Sequence, residues 1–245
     1  MVSLADLQTA CRTGSSQQVE YQCQINFNLY DGPQSDRLAT QAAAGRHLQI
    51  LSLPETIASS SPSSPAIPVR LCEDNYPGWL RVEDIAELVV ATAPYQAIAL
   101  NATEIQARLP DAIAFAYNAM AQPNYYLWGG TVGPNYDCSG LVQAAFTSVG
   151  IQLPRDAYQQ EAFTQPIAIT ELQPGDLVFF GPPEKATHVG LYVGDHSYIH
   201  SSGKDQGRNG IGIDRLSEQG GVVSQTYYRQ LRGAGRVIAS YQSQA

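Results

Sequence analysis

The stretch DLVFFGPPEKATHVGLYVGDHSYIH, residues 176–200, contains three short apolar runs separated by turn-forming residues. The runs at residues 177–180, 189–193 and 198–199 have the length and the aromatic and β-branched content of strands. Gly-Asp-His-Ser at residues 194–197 is typical of a tight turn between the last two runs. This stretch therefore predicts the centre of an antiparallel sheet.

Two helices are predicted before this sheet. The first covers residues 112–121 with Asp111 as its N-cap, and the second covers residues 139–149 and ends before Gly150. Further strands are predicted at residues 211–213 and 237–239. Helices followed by an antiparallel sheet indicate an α+β fold, without the βαβ alternation of a nucleotide-binding sheet.

The N-terminal part of the chain shows short alternating runs, each closed by Gly, Pro or Asp. These runs lie at residues 21–30, 47–53, 67–72 and 79–82. Their spacing predicts a small all-β barrel or sandwich, with the Ser- and Pro-rich residues 59–65 as a mobile loop inside it. We therefore predict a β domain at residues 1–93, a linker at 94–109 and an α+β domain at 110–245.

The composition narrows the possible functions. The chain has 245 residues and a formal charge of -8, which argues against a nucleic-acid-binding protein. It contains no apolar run of the length that spans a membrane and no secretory pattern at its start. Four cysteines are too few for a disulfide scaffold. We expect a cytoplasmic protein, with export by an unmarked route left open, and a monomer.

Cys138 is the candidate nucleophile. It lies in Tyr-Asp-Cys-Ser-Gly, residues 136–140, at the predicted start of the second helix. Unpaired N–H groups and the helix dipole favour a negative charge there, which predicts an easily formed thiolate. The alternative is a small, buried and inert cysteine. The polar neighbours Asp137 and Ser139 make this a poor core position and favour the nucleophile.

His188 and His200 are the candidate base and its partner. A hairpin centred near Gly194 would place them directly opposite each other, on one face of the sheet and about 5 Å apart. One imidazole could then take the thiol proton while the other fixes its orientation. Two alternatives remain: a structural pair of histidines, and a zinc site formed with Cys138 and a water molecule.

Five motifs in order resemble the NlpC family of papain-like cysteine peptidases, which act on bacterial cell-wall peptides. They are YLWGG at 126–130, DCSGL at 137–141, LPRD at 153–156, LQPGDLVFF at 172–180 and HVGLYV at 188–193, followed by His200. The resemblance covers roughly residues 110–240 and implies a papain-like domain. It implies Cys138 as nucleophile, His188 as general base, His200 as the orienting residue and Tyr126 as a donor to the oxyanion.

The same resemblance implies a substrate. The family cleaves peptidoglycan stem peptides, most often between γ-D-glutamate and a diamino acid such as meso-diaminopimelate, in cell-wall turnover or recycling. Asp156 could pair with a free N-terminal ammonium, Ser139 could bind the γ-D-glutamyl part, and Arg155 is a further candidate for substrate binding. The expected partner is a peptidoglycan-derived peptide, and no cofactor or metal is implied.

The N-terminal region resembles a bacterial SH3-like barrel, chiefly through NYPGWLRV at residues 75–82. Such barrels accompany cell-wall enzymes, where they bind the wall or narrow the active-site cleft. We expect the second role, which would select short muropeptides with a free L-Ala end. Tyr76 and Glu83 are the residues that we expect the barrel to offer to the substrate.

Two other functions remain open from the sequence. The same Cys-His-His residues could serve an amidase or acyltransferase with amide or lipid substrates. The chain could also be a non-catalytic peptidoglycan-binding protein, although the presence of Cys138, His188 and His200 together argues against it.

Overall fold

The structure is a computed structural model that describes Val2, Leu7 and residues 19–53 and 66–243. The predicted loop at 59–65 and Cys11 lie outside these residues. The chain divides into two compact units, Met1–Gln96 with Ser243–Ala245, and Ala97–Gln242. Among the described helices, none has the length and apolar content needed to cross a membrane.

The first unit is an antiparallel sheet, as predicted for the N-terminal region. Its described residues form β1 (Glu20–Cys23), β2 (Phe27–Tyr30), β3 (Leu38–Ala42), β4 (His47–Ile50), β5 (Ala66–Leu71), β6 (Pro77–Arg81) and β7 (Leu88–Val90), with a 3-10 turn at Val82–Glu87. The strand order is β3-β2-β6-β5-β4-β1-β7. The run predicted at 21–30 is two strands, and β3 and β7 are additional to the prediction.

The core of the first unit comes from alternate positions of these strands. Leu29, Leu48, Ile67 and Leu80 are completely buried. Burying side chains of this size contributes about 1.5 to 3 kcal/mol each to the free energy of folding. The alternation that predicted strands therefore also predicts which side chains fill the core.

The second unit combines four described helices with a six-stranded antiparallel sheet. Its elements are α1 (Ala102–Met120), α2 (Cys138–Thr147), α3 (Ala157–Phe163), β8 (Gln165–Ile167), β9 (Leu177–Phe180), β10 (His188–Gly194), β11 (Ser197–Ser202), β12 (Gly210–Arg215), α4 (Val222–Tyr228) and β13 (Leu231–Arg236). The strand order is β12-β11-β10-β9-β13-β8. The predicted α+β fold class, with an antiparallel sheet, is confirmed.

Strand β9 shows why the sequence around it was so apolar. All four of its residues are buried, because the sheet is covered on both faces. Leu177 and Phe179 belong to the cluster that includes residues of α1 and α2. Val178 and Phe180 belong to a second cluster that includes Tyr227 of α4. A strand buried on both faces has an almost continuous apolar sequence.

The first helix begins earlier than predicted. Asn101 is its N-cap and accepts hydrogen bonds from the N–H groups of Thr103 and Glu104, and the Glu104 side chain accepts from the Asn101 N–H at 2.8 Å. This capping box starts the helix nine residues before Asp111, so Asp111 is not the cap and Pro110 lies inside α1. The predicted linker, 94–109, therefore includes the first two turns of α1.

The hairpin between β10 and β11 turns later than predicted. Gly194 pairs with Ser197, so the turn consists of Asp195 and His196 rather than being centred on Gly194. Asp195 and His196 have positive φ values of 48° and 57°. Positive φ at both central residues is the mark of the type I′ turn, one of the two common two-residue hairpin turns.

The register of this hairpin corrects the predicted pairing of the histidines. Leu191 pairs with Ile199, with a bulge between Tyr192 and the turn. Continued along the strands, this register offsets His188 from His200 by two positions instead of placing them opposite each other. An offset of two keeps both side chains on the same face, where diagonal neighbours are still within reach.

The last predicted strand is also displaced. The structure ends the sheet with β13, Leu231–Arg236, and residues 237–239 lie outside it. The sequence of β13 is LRGAGR, whose two glycines and two arginines do not resemble a strand. Val237, which suggested the strand, is buried in the core beside it.

Candidate functional site

Cys138 occupies the first position of α2. Asp137 is the N-cap of this helix, and Gly150 follows its C-terminal end with a φ of 79°. Of the apolar residues predicted to form the helix stripe, Leu141, Val142, Ala145 and Phe146 are buried. The predicted helix is confirmed, but it starts one residue earlier and ends at Thr147 rather than at residue 149, so the candidate nucleophile lies at its N-terminus.

The Asp137 carboxylate connects the start of α2 to the loop before it. Its Oδ1 accepts from the N–H of Gly140 at 2.6 Å, and its Oδ2 accepts from the N–H of Gly129 at 2.9 Å. A Cβ at Gly140 would overlap the carbonyl oxygen of Gly130, so this close approach of loop and helix requires glycine. Asp137 thus fixes the backbone on both sides of the nucleophile.

Arg155 lies beneath this start of the helix. Its guanidinium donates to both oxygens of Asp137, at 3.2 and 2.6 Å, and to Ser139 Oγ at 2.9 Å. Arg155 is only 2% exposed and Ser139 is buried as well. The structure therefore corrects the suggestion that Arg155 faces a substrate: it is a positioning residue, and the Ser139 hydroxyl is part of the same network.

The two candidate histidines are joined to a third side chain. His188 Nε2 lies 2.7 Å from His200 Nδ1, and His200 Nε2 lies 2.9 Å from Asp214 Oδ2. Asp214 also accepts from Arg208 at 2.5 Å and from Ser224 Oγ at 3.0 Å. We call His188, His200 and Asp214 the histidine–carboxylate chain.

The surroundings of Asp214 determine where the protons of the histidine–carboxylate chain lie. Burial opposes ionisation of Asp214, but the hydrogen bonds from His200 and Ser224 and the charge of Arg208 lower its pKa, so it is a carboxylate. An ionised carboxylate only accepts, so His200 carries its proton on Nε2 and accepts at Nδ1 from His188 Nε2–H. The one unprotonated nitrogen of His188 is then Nδ1, which is free to take a proton.

Both imidazoles are neutral in this environment. Burial holds the pKa of His188 well below the ordinary histidine value, and the neighbouring His200 lowers it further. Burial also lowers the pKa of His200, against the opposing effect of its hydrogen bond to Asp214. A neutral His188 with an open Nδ1 is a competent general base.

Cys138 departs from the prediction of an easily formed thiolate. Burial raises its pKa to about 12, and the nearby Asp137 charge raises it further. The backbone N–H groups of Val189 and Ser139 act in the opposite direction but are outweighed. Val189 directly follows His188, so this contact also brings the thiol to the start of β10. The resting thiol is neutral, and its proton must be removed by a base.

Tyr126 is close enough to Cys138 for the two groups to affect each other's ionisation. Burial raises the pKa of its phenol, and the charge of a Cys138 thiolate would raise it further. The phenol therefore keeps its proton and can act as a hydrogen-bond donor. Together with the N–H of Cys138, it forms a candidate site for an oxyanion.

Two residues in contact with these histidines were missed by the sequence analysis. Tyr227 stacks on His188 with ring centroids 4.1 Å apart, and its hydroxyl lies 2.7 Å from Ser202 Oγ. Asp214 closes the histidine–carboxylate chain. Neither residue belongs to a motif quoted above, and each reaches the site through the folding of a distant element, α4 or β12. The sequence offers no local signal for either.

The remaining predicted substrate residues stay predictions. Asp156 is half-buried at the N-cap of α3, where its N–H donates to Gln159 Oε1 at 3.0 Å. Tyr76 and Glu83 belong to the first unit: Tyr76 is half-buried, and Glu83 is exposed and lies 3.5 Å from Arg81. In the part of the chain that the structure describes, no group of three or more His, Cys, Asp or Glu side chains could hold a metal ion.

Family sequence models match a segment of each unit. The model of the NlpC/P60 family matches residues 123–232. The model of the bacterial dipeptidyl-peptidase Sh3 domain matches residues 29–85. The first match contains every residue of the site described above, from Tyr126 to Tyr227.

Several curated proteins are similar to parts of this chain. A probable endopeptidase of Mycobacterium tuberculosis is 44% identical over 77 residues, which are 31% of this chain and 20% of the relative. The bifunctional muramidase/DL-endopeptidase CwlT of Bacillus subtilis is 46% identical over 81 residues, 31% of this chain and 25% of the relative. The probable endopeptidase p60 of Listeria monocytogenes is 37% identical over 112 residues, 46% of this chain and 21% of the relative. The chain thus spans a quarter or less of these relatives.

Solved structures also align with the chain. The crystal structure of an NlpC/P60 family protein from Bacillus cereus aligns with 97% of this chain and 67% of its own, with 21% identity and a TM-score of 0.47. The NlpC/p60 domain of the peptidoglycan hydrolase SagA covers 53% of this chain and 98% of its own, with 24% identity and a TM-score of 0.43.

Proposed function

We propose that the chain is an endopeptidase of peptidoglycan stem peptides, because residues 123–232 match the model of the NlpC/P60 family and residues 29–85 match that of the bacterial dipeptidyl-peptidase Sh3 domain. The observation that carries the proposal is the arrangement around Cys138. A neutral thiol at a helix N-terminus is in contact with the backbone N–H of Val189, the residue after a neutral His188 whose free nitrogen is fixed by His200 and Asp214. This is the arrangement that nucleophilic catalysis by cysteine requires.

In the proposed mechanism, His188 Nδ1 takes the thiol proton as Sγ of Cys138 attacks the scissile carbonyl carbon. The Cys138 N–H and the Tyr126 phenol donate to the oxygen as it becomes negative. The C–N bond then breaks, and the leaving amine receives the proton from His188. Water, deprotonated by His188, attacks the thioester, and the departing sulfur recovers the proton. In each step His188 takes up one proton and gives one up, so the protons balance over the whole reaction.

The proposed scissile bond joins γ-D-glutamate to a diamino acid such as meso-diaminopimelate. One relative is named a DL-endopeptidase, which describes cleavage between a D and an L centre. The γ-D-glutamyl–diaminopimelate bond joins such centres. A carboxylate at Asp156 would suit the free ammonium of the L-Ala that precedes the glutamate.

We further propose that the preferred substrates are short muropeptides with a free N-terminal L-Ala, released in cell-wall turnover or recycling. The description of the matched Sh3 domain, from bacterial dipeptidyl-peptidases, supports release of a dipeptide. Tyr76 and Glu83 are the residues of that domain proposed to contact the peptide. Removal of a dipeptide from a free end would yield L-Ala-γ-D-Glu.

A mass-spectrometric digest tests this function. L-Ala-γ-D-Glu-meso-diaminopimelate, the same tripeptide acetylated at its N-terminus and intact peptidoglycan are each incubated with the protein. We expect L-Ala-γ-D-Glu from the free tripeptide alone, because the ammonium is part of the proposed recognition. The Cys138→Ala protein, incubated with the same three substrates, is the negative control.

Other outcomes of the digest point to other functions. Cleavage of all three substrates would make the protein a hydrolase of the polymeric wall and contradict selection of a free end. If none of the substrates is cleaved and the protein is retained on purified peptidoglycan, the non-catalytic peptidoglycan-binding function is favoured. If none is cleaved but amide or ester substrates are turned over, the amidase or acyltransferase function is favoured.

The pH dependence of kcat/KM tests the role of His188. The active form has neutral His188, and the lowered pKa of this group keeps it neutral through mildly acidic pH. Activity is therefore expected to fall only as the pH drops through a value below the ordinary 6.5 of histidine. The tripeptide is a suitable substrate because its N-terminal ammonium and most of its carboxylates keep their charges between about pH 5 and 7. A change of activity in this range then reports on the protein rather than on the substrate. An acidic limb centred at or above pH 6.5 would contradict this protonation state.

A further inference from the structure

Three aromatic rings surround the two imidazoles of the histidine–carboxylate chain. The rings of Phe180 and Tyr227 contact His188, with centroids 5.8 and 4.1 Å from the imidazole. The rings of Tyr198 and Tyr227 contact His200, with centroids 4.8 and 5.1 Å away. Tyr227 therefore contacts both imidazoles, although the mechanism derived above gives it no part.

Tyr227 presents the face of its ring to His188. The two rings are stacked with an interplanar angle of 22°, whereas Phe180 is tilted by 49° to the same imidazole. Tyr227 is buried on α4, and its hydroxyl lies 2.7 Å from Oγ of the buried Ser202 on β11. This hydrogen bond holds the phenol ring in place, and the stack in turn restricts rotation of the His188 ring.

His188 has to carry a positive charge in a place where burial opposes one. When His188 takes the thiol proton it becomes an imidazolium, and burial and the neighbouring His200 both disfavour that form. The face of an aromatic ring is its negative side and attracts a cation within about 6 Å of the ring centroid. The attraction is strongest where water is excluded, as it is between the buried rings of Tyr227 and His188.

The charged groups near His188 leave a place for this attraction. His200 on β11 contacts the imidazole, and Cys138 at the start of α2 becomes a thiolate when His188 takes its proton. Asp214 on β12 pairs with His200. In the described part of the chain, His188 itself forms no ion pair with a carboxylate. Apart from the thiolate, the ring face of Tyr227 is thus the group in contact that favours the imidazolium.

The phenol of Tyr227 stays neutral in these surroundings. Burial raises its pKa, and three negative charges raise it further, against the effect of the hydrogen bond with Ser202. These charges are those of a Cys138 thiolate, Asp205 and Asp214. The phenol therefore keeps its proton, so Tyr227 acts on His188 through its ring and not as a base or a phenolate.

We propose that the ring face of Tyr227 stabilises the imidazolium form of His188, so that the proton of Cys138 can move from Sγ to Nδ1 of a buried histidine. The move leaves one thiolate and one imidazolium and needs no other reactant. Tyr227 acts through His188 and is a positioning residue. This inference rests on the role of His188 as general base in the proposed function, and adds the group that lets it hold the proton.

Alkylation of Cys138 by iodoacetamide tests the inference without a peptide substrate. The thiolate displaces iodide, so the rate at pH 7 follows the fraction of Cys138 whose proton lies on His188. Tyr227→Leu, which has no ring face, is expected to lower this rate about fivefold to tenfold, and Tyr227→Phe is expected to keep it within about twofold. Mass spectrometry of the peptide that contains Cys138 separates it from the other three cysteines. Tyr228→Leu, the same exchange at a half-buried neighbour on α4, is the matched control.

A series of fluorinated rings changes the charge of the face while the packing stays nearly the same. Phenylalanine analogues with increasing numbers of ring fluorines are incorporated at position 227, because fluorine withdraws electron density from the face of the ring. We expect the alkylation rate of Cys138 to fall as fluorines are added. A rate that does not depend on fluorination would overturn the inference, and so would equal losses in Tyr227→Phe and Tyr227→Leu, which would assign the effect to the hydroxyl.

Peptide cleavage, measured separately, distinguishes this inference from the proposed reaction. If the wild-type protein cleaves no stem peptide but its alkylation rate depends on the ring as expected, the proposed reaction fails and the role of Tyr227 stands. If L-Ala-γ-D-Glu-meso-diaminopimelate is cleaved but the alkylation rate does not depend on the ring, the reaction stands and the role of Tyr227 is refuted.

Discussion

Replacing Cys138 with Ala is expected to lower kcat/KM on L-Ala-γ-D-Glu-meso-diaminopimelate by about four orders of magnitude or more. The substitution removes the sulfur that forms the acyl-enzyme bond, and the oxyanion donors and bound substrate then act without a nucleophile. Loss of a nucleophile from a catalytic triad has cost about 10⁶-fold in a well-studied protease. Initial rates of dipeptide release, measured by mass spectrometry, give the ratio.

Cys23 provides the control for the substitution of Cys138. Cys23 is a buried free thiol in the first unit and has no place in the mechanism. Cys23→Ala is expected to keep the activity, and alkylation of that variant with iodoacetamide is expected to abolish it. If Cys138→Ala keeps more than about one per cent of the wild-type rate, the nucleophile has been assigned to the wrong residue.

Replacing Asp214 with Asn is expected to lower kcat by about three to four orders of magnitude while KM changes little. The substitution changes an acceptor into a group that can donate from its NH₂ to His200 Nε2. His200 would then carry its proton on Nδ1 and donate to His188 Nε2, which would place the proton of His188 on Nδ1, the nitrogen that must be free. The corresponding change in a serine protease triad costs about 10⁴-fold.

The state of the imidazoles distinguishes this positioning role from a merely structural one. Nitrogen chemical shifts of the histidines are expected to show unprotonated Nδ1 on His188 in the wild type and protonated Nδ1 in Asp214→Asn. Ser224→Ala is the milder control, because it removes one hydrogen bond to Asp214 but keeps the carboxylate. A well-folded Asp214→Asn protein with normal kcat and unchanged shifts would show that Asp214 has no part in the reaction.

The parts of the site that were predictable lie close together in sequence or on regular elements. Strand β9 has the bounds that its apolar run predicted, and the α2 start places Cys138 where the polar residues around it indicated. The pairing of His188 with His200 was predictable because both belong to a single hairpin. The register was wrong by two residues: the turn lies at Asp195 and His196 rather than at Gly194, which shifts the pairing by three, and the bulge moves it back by one.

The parts that were not predictable depend on contacts between distant elements. Asp214 is joined to His200 by the pairing of β11 with β12, and the direction of its side chain follows from that register. Arg155 was predicted to bind the substrate, but the fold buries it against Asp137. The start of α1 was a different kind of error: Asn101 and Glu104 form a capping box that the sequence shows, but the prediction placed the N-cap at Asp111.

The hydrogen bonds of the Asp137 carboxylate affect how much conformational entropy the site would lose in the proposed reaction. It holds Gly129, Gly140 and Arg155 together, so the turn that follows Tyr126 and the helix that begins at Cys138 are fastened to one another. The groups that surround the reacting carbonyl are thereby ordered while the chain folds, before any substrate arrives. In the proposed reaction, little conformational freedom would remain to be lost at the transition state. The buried Arg155, seventeen residues from Cys138, would then contribute to the rate through the rigidity that it confers.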